Sequence, residues 1–144
     1  FSSPVPVIKL VEIVRTLASS KEVVSTTTEF ARSLGKTPVQ AKDTPGFIAN
    51  RLYLSYALEA IRLLEAGVAT REDIDSVLVL GWGHPIGPLQ AADWGGLDTL
   101  QSAAENLYQE LRDSKYASPP LLNRMVLAGY LGRKSGKGFY DYSK

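Results

Sequence analysis

Asp43-Thr44-Pro45-Gly46-Phe47-Ile48-Ala49-Asn50-Arg51-Leu52 is the stretch at which the chain changes character. Proline suits the first turn of a helix, where its missing N–H is not needed, and Asp43 or Thr44 is a suitable N-cap. Leu54, Tyr56, Leu58, Ile61, Leu63 and Leu64 follow, ending at Glu65-Ala66-Gly67. The pattern predicts a helix of about 20 residues from Pro45, apolar on more than one face and therefore central and buried.

Upstream, Val5 to Arg15 is rich in β-branched residues, and its run of Val, Ile and Leu, broken by Lys9 and Glu12, reads as a mostly buried strand. Ser19-Ser20-Lys21-Glu22 resembles a capping box, serine followed three residues later by glutamate. Val23, Val24, Thr27, Phe30, Ala31 and Leu34 then recur at helical spacing, and Gly35 suits a left-handed cap. Thr37 to Lys42 suits a second strand. Strand, helix and strand make one βαβ unit, which needs neighbours to cover its strands and so reads as the tail of a larger sheet domain.

Downstream, Thr70 and Asp73 cap a helix carrying Ile74, Val77, Leu78 and Leu80, and Gly81 to Pro88 is too rich in glycine and proline to continue it. Pro88 opens a short helix stopped by Gly95-Gly96, Asp98 caps another from Thr99 to Leu111, and Ser118-Pro119 starts a last one closed by Gly129. Leu131 to Tyr142 is glycine-rich, basic and irregular. The expected fold is mainly α: a βαβ remnant over 1–43, then a C-terminal bundle of about five helices over 44–144.

The chain has 144 residues and a net charge of +1, so no strong electrostatic pull toward nucleic acid or an anionic membrane is implied. With no cysteine, thiol catalysis, disulfides and cysteine zinc sites are excluded, and the single histidine leaves other metals only carboxylates, none of which cluster at ligand spacing. No apolar run spans a bilayer, and no signal peptide is visible. His84 lacks a serine elbow and reads as a turn residue bonding to backbone. Gly132-Arg133-Lys134-Ser135-Gly136-Lys137-Gly138 has neither the strand nor the helix of a phosphate loop. It reads as a tail anchored by Phe139, Tyr140 and Tyr142, with contact to an anionic cofactor as the alternative.

Two polar residues stand out. Asn50 lies in an otherwise apolar helix, where an amide needs either a core hydrogen bond or a ligand. Glu12, within an apolar strand, must be paired or face solvent, and on its own it reads as solvated.

Five segments, in register, resemble the 3-hydroxyacyl-CoA dehydrogenase family, in particular its 3-hydroxybutyryl-CoA dehydrogenase-like members. They are Pro4 to Ile13, Asp43 to Arg51, Asp73-Ile74-Asp75 with Gly81 to Pro88, Gly95 to Thr99, and Gly132 to Tyr142. The resemblance implies that residues 1–43 close a Rossmann-type NAD-binding domain and that 44–144 form the substrate and dimerisation domain. In the family a histidine takes the proton of the 3-hydroxyl, a glutamate at the position of Glu12 stabilises its charged form, and an asparagine at the position of Asn50 bonds the substrate. Ser3 stands where the family often has a substrate-contacting asparagine, which leaves that contact open. The resemblance also puts the histidine immediately before Phe1 and the glycine-rich NAD loop further upstream.

The expectation is therefore the C-terminal part of an NAD-dependent L-3-hydroxyacyl-CoA dehydrogenase of fatty-acid β-oxidation or butyrate-type metabolism, inactive by itself. It implies an acyl-CoA substrate, a homodimer, no nucleic-acid or membrane partner, and a cytoplasmic location (the mitochondrial matrix in a eukaryote). The rival readings are a stand-alone helical dimerisation or acyl-CoA-binding module, and the dehydrogenase part of a multifunctional protein.

Overall fold

The computed structural model describes residues 1–143, which form two compact units, Phe1–Asn50 and a second from Arg51 onward. In the first unit, strand β1 (Leu10–Arg15), helix α1 (Lys21–Ser33) and strand β2 (Thr37–Lys42) make the βαβ arrangement. The strands pair in parallel, with Leu10 opposite Thr37 and Glu12 opposite Val39. Val11 and Ile13 are buried with Ala31 of α1 on one face of β1, so Glu12 points to the other.

Three local expectations are corrected here. The strand begins at Leu10 rather than Val5, because residues 4–8 fold into a turn in which Val7 N and Ile8 N both donate to Pro4 O. The cap of α1 is Ser20, whose hydroxyl accepts from Val23 N, while Ser19 Oγ takes the Thr16 N–H. The apolar stripe of α1 is mostly uncovered: Val23, Phe30 and Leu34 are exposed. Gly35 does adopt a positive φ of 71°.

Among the described residues the second unit holds five α-helices: α2 (Ala49–Glu65, most of whose length lies here), α3 (Arg71–Trp82), α4 (Pro88–Gly95), α5 (Leu97–Leu111) and α6 (Pro120–Leu127). α2 buries Leu54, Ala57, Leu58 and Ile61, one face at helical spacing, against Ile74, Leu89, Leu100, Leu107, Leu122 and Met125. Buried alanines at 57, 60, 92 and 104 let the helices approach closely. Each fully buried leucine contributes about 1.5–3 kcal/mol. α2 is less enclosed than its composition predicts, since Leu52 and Leu63 are exposed.

Thr70 caps α3 as expected, accepting from Asp73 N, and Gly83 ends it with a φ of 70°. Asp98 is not the cap of α5; Gly96 holds that position and Asp98 pairs with Lys134 Nζ at 2.5 Å. α6 begins at Pro120, after an extended Pro119.

Candidate functional site

The segment 43–50 folds differently from its sequence pattern. α2 starts at Ala49 instead of Pro45, because Gly46 (φ 73°) and Phe47 (φ 44°) both enter the left-handed region. Phenylalanine rarely sits there, at a cost of about 1–3 kcal/mol. Thr44 O accepts from Phe47 N at 3.0 Å and closes the turn.

The result is that the amides of Ile48 and Ala49 converge on one acceptor. Glu12 Oε1 accepts from Ile48 N at 2.8 Å and from Ala49 N at 3.0 Å. The helix therefore takes its N-terminal cap from a carboxylate on β1, 36 residues upstream, in place of a local serine or aspartate. A negative charge at that end is favoured by the helix dipole and by two charge-assisted hydrogen bonds. Glu12 is half-buried, which corrects the solvated reading of it. Its second oxygen makes no protein hydrogen bond among the described residues, and so can accept an N–H or O–H from another group.

Asn50 is the second residue of α2, directly after one of the amides Glu12 holds. It is exposed, and its side chain bonds to nothing among the described residues. The core-amide alternative therefore fails, leaving a free donor and acceptor beside a fixed carboxylate. Ser3 is also exposed, in the turn before β1, with no hydrogen bond to Glu12 or Asn50 among the described residues. Glu12 and Asn50 are brought together; Ser3 is not joined to them by contact.

Lys36 is a residue the sequence reading missed. Its Nζ donates to Val5 O at 2.5 Å and Ile8 O at 3.0 Å. A lysine bonded to backbone carbonyls some 30 positions away leaves no pattern in sequence.

In the second unit, two buried carboxylates bind the glycine-rich tail. Asp93 accepts from Phe139 N and Tyr140 N, each at 2.9 Å, and from Tyr142 OH at 3.1 Å. Asp75 accepts from Leu89 N and Gln90 N at the start of α4, and from Tyr140 OH at 2.8 Å. Burial raises the Asp93 carboxyl above its usual range against the opposing pull of its amide donors, and pushes Tyr142 up to about 12. A Cβ on Gly138 would lie 2.0 Å from Asp93 Oδ1, and one on Gly132 2.3 Å from Asp93 O. These glycines are needed for close approach to an internal carboxylate, which excludes the phosphate-loop reading. The anchoring role expected of Phe139, Tyr140 and Tyr142 is what the structure has.

His84 is half-buried, with Nδ1 3.2 Å from Tyr56 OH and its backbone N–H on Leu78 O. No metal-binding cluster of histidine and carboxylates occurs among the described residues, and no described helix is long and apolar enough to cross a membrane. A cavity of about 460 Å³ beside α1 is lined by Arg15, Ser19, Lys21, Thr28, Arg32 and Gln40, and includes none of the expected site residues.

Comparison with known proteins gives two family matches. The model described as 3-hydroxyacyl-CoA dehydrogenase, C-terminal domain, matches residues 46–142, and the one described as the NAD binding domain of that enzyme matches residues 1–44. A 3-hydroxybutyryl-CoA dehydrogenase of Mycobacterium tuberculosis is 50% identical over 143 residues, covering 99% of this chain and 50% of that protein. The human mitochondrial hydroxyacyl-coenzyme A dehydrogenase is 44% identical, covering 99% of this chain and 46% of that protein. The crystal structure of (S)-3-hydroxybutyryl-CoA dehydrogenase from Ralstonia eutropha superposes with a TM-score of 0.96 at 46% identity, covering 100% of this chain and 51% of that one. The chain thus spans about half the length of the relatives it matches.

Proposed function

Because the chain belongs to the 3-hydroxyacyl-CoA dehydrogenase family, we propose that the polypeptide it forms part of is an NAD-dependent L-3-hydroxyacyl-CoA dehydrogenase. It oxidises 3-hydroxyacyl-CoA to 3-ketoacyl-CoA in fatty-acid β-oxidation or butyrate-type metabolism, in the cytoplasm or, in a eukaryote, the mitochondrial matrix. The observation that carries the reading is the junction at which Glu12 holds the amides leading into Asn50. One oxygen of Glu12 is committed to the helix. The other is left to accept the N–H of a histidine base and stabilise that base once it has taken the proton of the substrate hydroxyl. Asn50 bonds the substrate oxygen and holds the reacting carbon in line. Ser3, close in sequence to the expected base, supplies a further substrate contact.

NAD in such an enzyme supplies the hydride acceptor. The β1–α1 connection, Thr16-Leu17-Ala18-Ser19-Ser20, contains no glycine, which supports placing its phosphate site elsewhere in the polypeptide. Residues 1–43 are accordingly assigned as the end of the NAD-binding domain, and 44–144 as the substrate and dimerisation domain. A homodimer through the helical unit is supported by Leu80 and Trp82 on α3, which are 85% and 76% exposed. The chain alone is expected to give no turnover.

The test is NADH formation from 3-hydroxybutyryl-CoA by the full polypeptide and by its Asn50→Ala variant. We expect the variant to lose about 100-fold in kcat/KM, as a misplaced substrate does. Full activity in the variant, or NADH production by residues 1–144 alone, would overturn the reading.

A further inference from the structure

The segment before β1 has little side-chain packing to hold it: Phe1 is 61% and Val7 71% exposed. Backbone bonds account for part of its order, with Ser2 N on Leu10 O at 3.3 Å and the turn closed on Pro4 O. The side chain that crosses to it is Lys36, whose ammonium draws the carbonyls of Val5 and Ile8 to a single point. Lys36 is itself fixed. Its own N–H donates to Ala31 O at the end of α1, and the next amide, Thr37 N, donates to Lys9 O at 2.8 Å where β2 joins β1. It forms no salt bridge with a carboxylate among the described residues, so the carbonyl dipoles are what its charge addresses.

We infer that Lys36 is a positioning residue of the dehydrogenase site, its ammonium clamping the 4–8 turn and thereby fixing Ser3 and the backbone that leads into it. The inference rests on the function proposed above, in which Ser3 contacts substrate and the base lies just before Phe1. A cation suits this task better than a neutral donor. It has three N–H groups, bonds two carbonyls at once, and gains from charge assistance with each. Loss of the clamp frees the turn to move by an ångström or so, and a displacement of that size at reacting groups lowers turnover about 100-fold at most.

The experiment uses the full polypeptide with Lys36→Met and Lys36→Arg, read by steady-state kinetics, thermal melting and amide hydrogen exchange at Val7 and Ile8. Lys36→Met is expected to lower kcat roughly tenfold or more, leave the KM for NAD unchanged, speed exchange at both amides, and leave the melting temperature close to wild type. Lys36→Arg, which retains a cation with several donors, is expected to recover a substantial part of kcat. Wild-type kcat in Lys36→Met, unchanged exchange at Val7 and Ile8, or losses in both variants that follow loss of folded protein would overturn the inference. Absence of 3-hydroxyacyl-CoA-dependent NADH in the wild type would instead overturn the proposed function. The clamp itself would still be judged by the exchange rates.

Discussion

Replacing Glu12 by alanine removes the acceptor for two amides at the start of α2, at 2.8 and 3.0 Å, and removes a charge from the positive end of the helix dipole. Loss of a helix cap costs about 0.5–2 kcal/mol, and hydrogen bonds to a charged group are worth roughly 1.5–3 kcal/mol each when buried. Glu12 is only half-buried and water replaces it in part, so the expected loss for Glu12→Ala is about 1–2 kcal/mol. Glu12→Gln keeps a carbonyl oxygen for both amides and forfeits the charge, a loss of about 0.3–1 kcal/mol. Urea denaturation of wild type, glutamine and alanine variants should give stabilities in that order, with faster hydrogen exchange at Ile48 and Ala49 in the alanine variant. In the full polypeptide the glutamine variant should lose kcat with a near-normal KM for the acyl-CoA, whereas the alanine variant should also raise that KM because Asn50 shifts. Equal stability of the alanine variant and wild type, with unchanged exchange at the two amides, would refute the capping argument.

The tail latch gives three further expectations. Asp93→Ala leaves the Phe139 and Tyr140 amides without their acceptor and should cost about 2–5 kcal/mol by urea denaturation. Gly138→Ala places a methyl on Asp93 Oδ1 and should cost about 1–3 kcal/mol; combined with Asp93→Ala the loss should be smaller than the sum, measured as a double-mutant cycle. Because burial raises the Asp93 pKa in the folded state, the folded chain holds its proton to higher pH than the unfolded chain does. Its contribution to stability is therefore full below the ordinary value of 3.8 and is lost as pH rises through the raised one. The stability of wild type minus that of Asp93→Asn should fall as pH rises across that window, and a flat or rising difference would count against it.

What the sequence discloses follows the distance over which each signal acts. β2 and α3 were readable because their determinants are local: Thr70 accepts from an amide three residues on, and Thr37 to Lys42 is bounded by turn residues. The start of α2 was not, because its cap lies on another strand and the positive φ of Phe47 goes against that residue's own preference. Asp98 is a good cap by type, yet Lys134 from the tail takes its carboxylate. Glu12 and Asn50 were recognisable as polar residues in apolar runs, but only the resemblance to a family suggested roles for them. Lys36 and Asp93 act over 28 and 46 positions, beyond any periodic pattern.

The tail wrapped around Asp93 bears on how the chain can be made. Synthesis proceeds from the amino end, so α2 through α6 emerge before the amides of Phe139 and Tyr140 exist to meet that carboxylate. Until then a buried acid has no donors, and the helical unit gains by keeping Asp93 hydrated or protonated. Closure of the helical unit is therefore expected to wait for residues 139–142, and a chain ended before Phe139 is expected to leave the Asp93 carboxyl without those two amide donors.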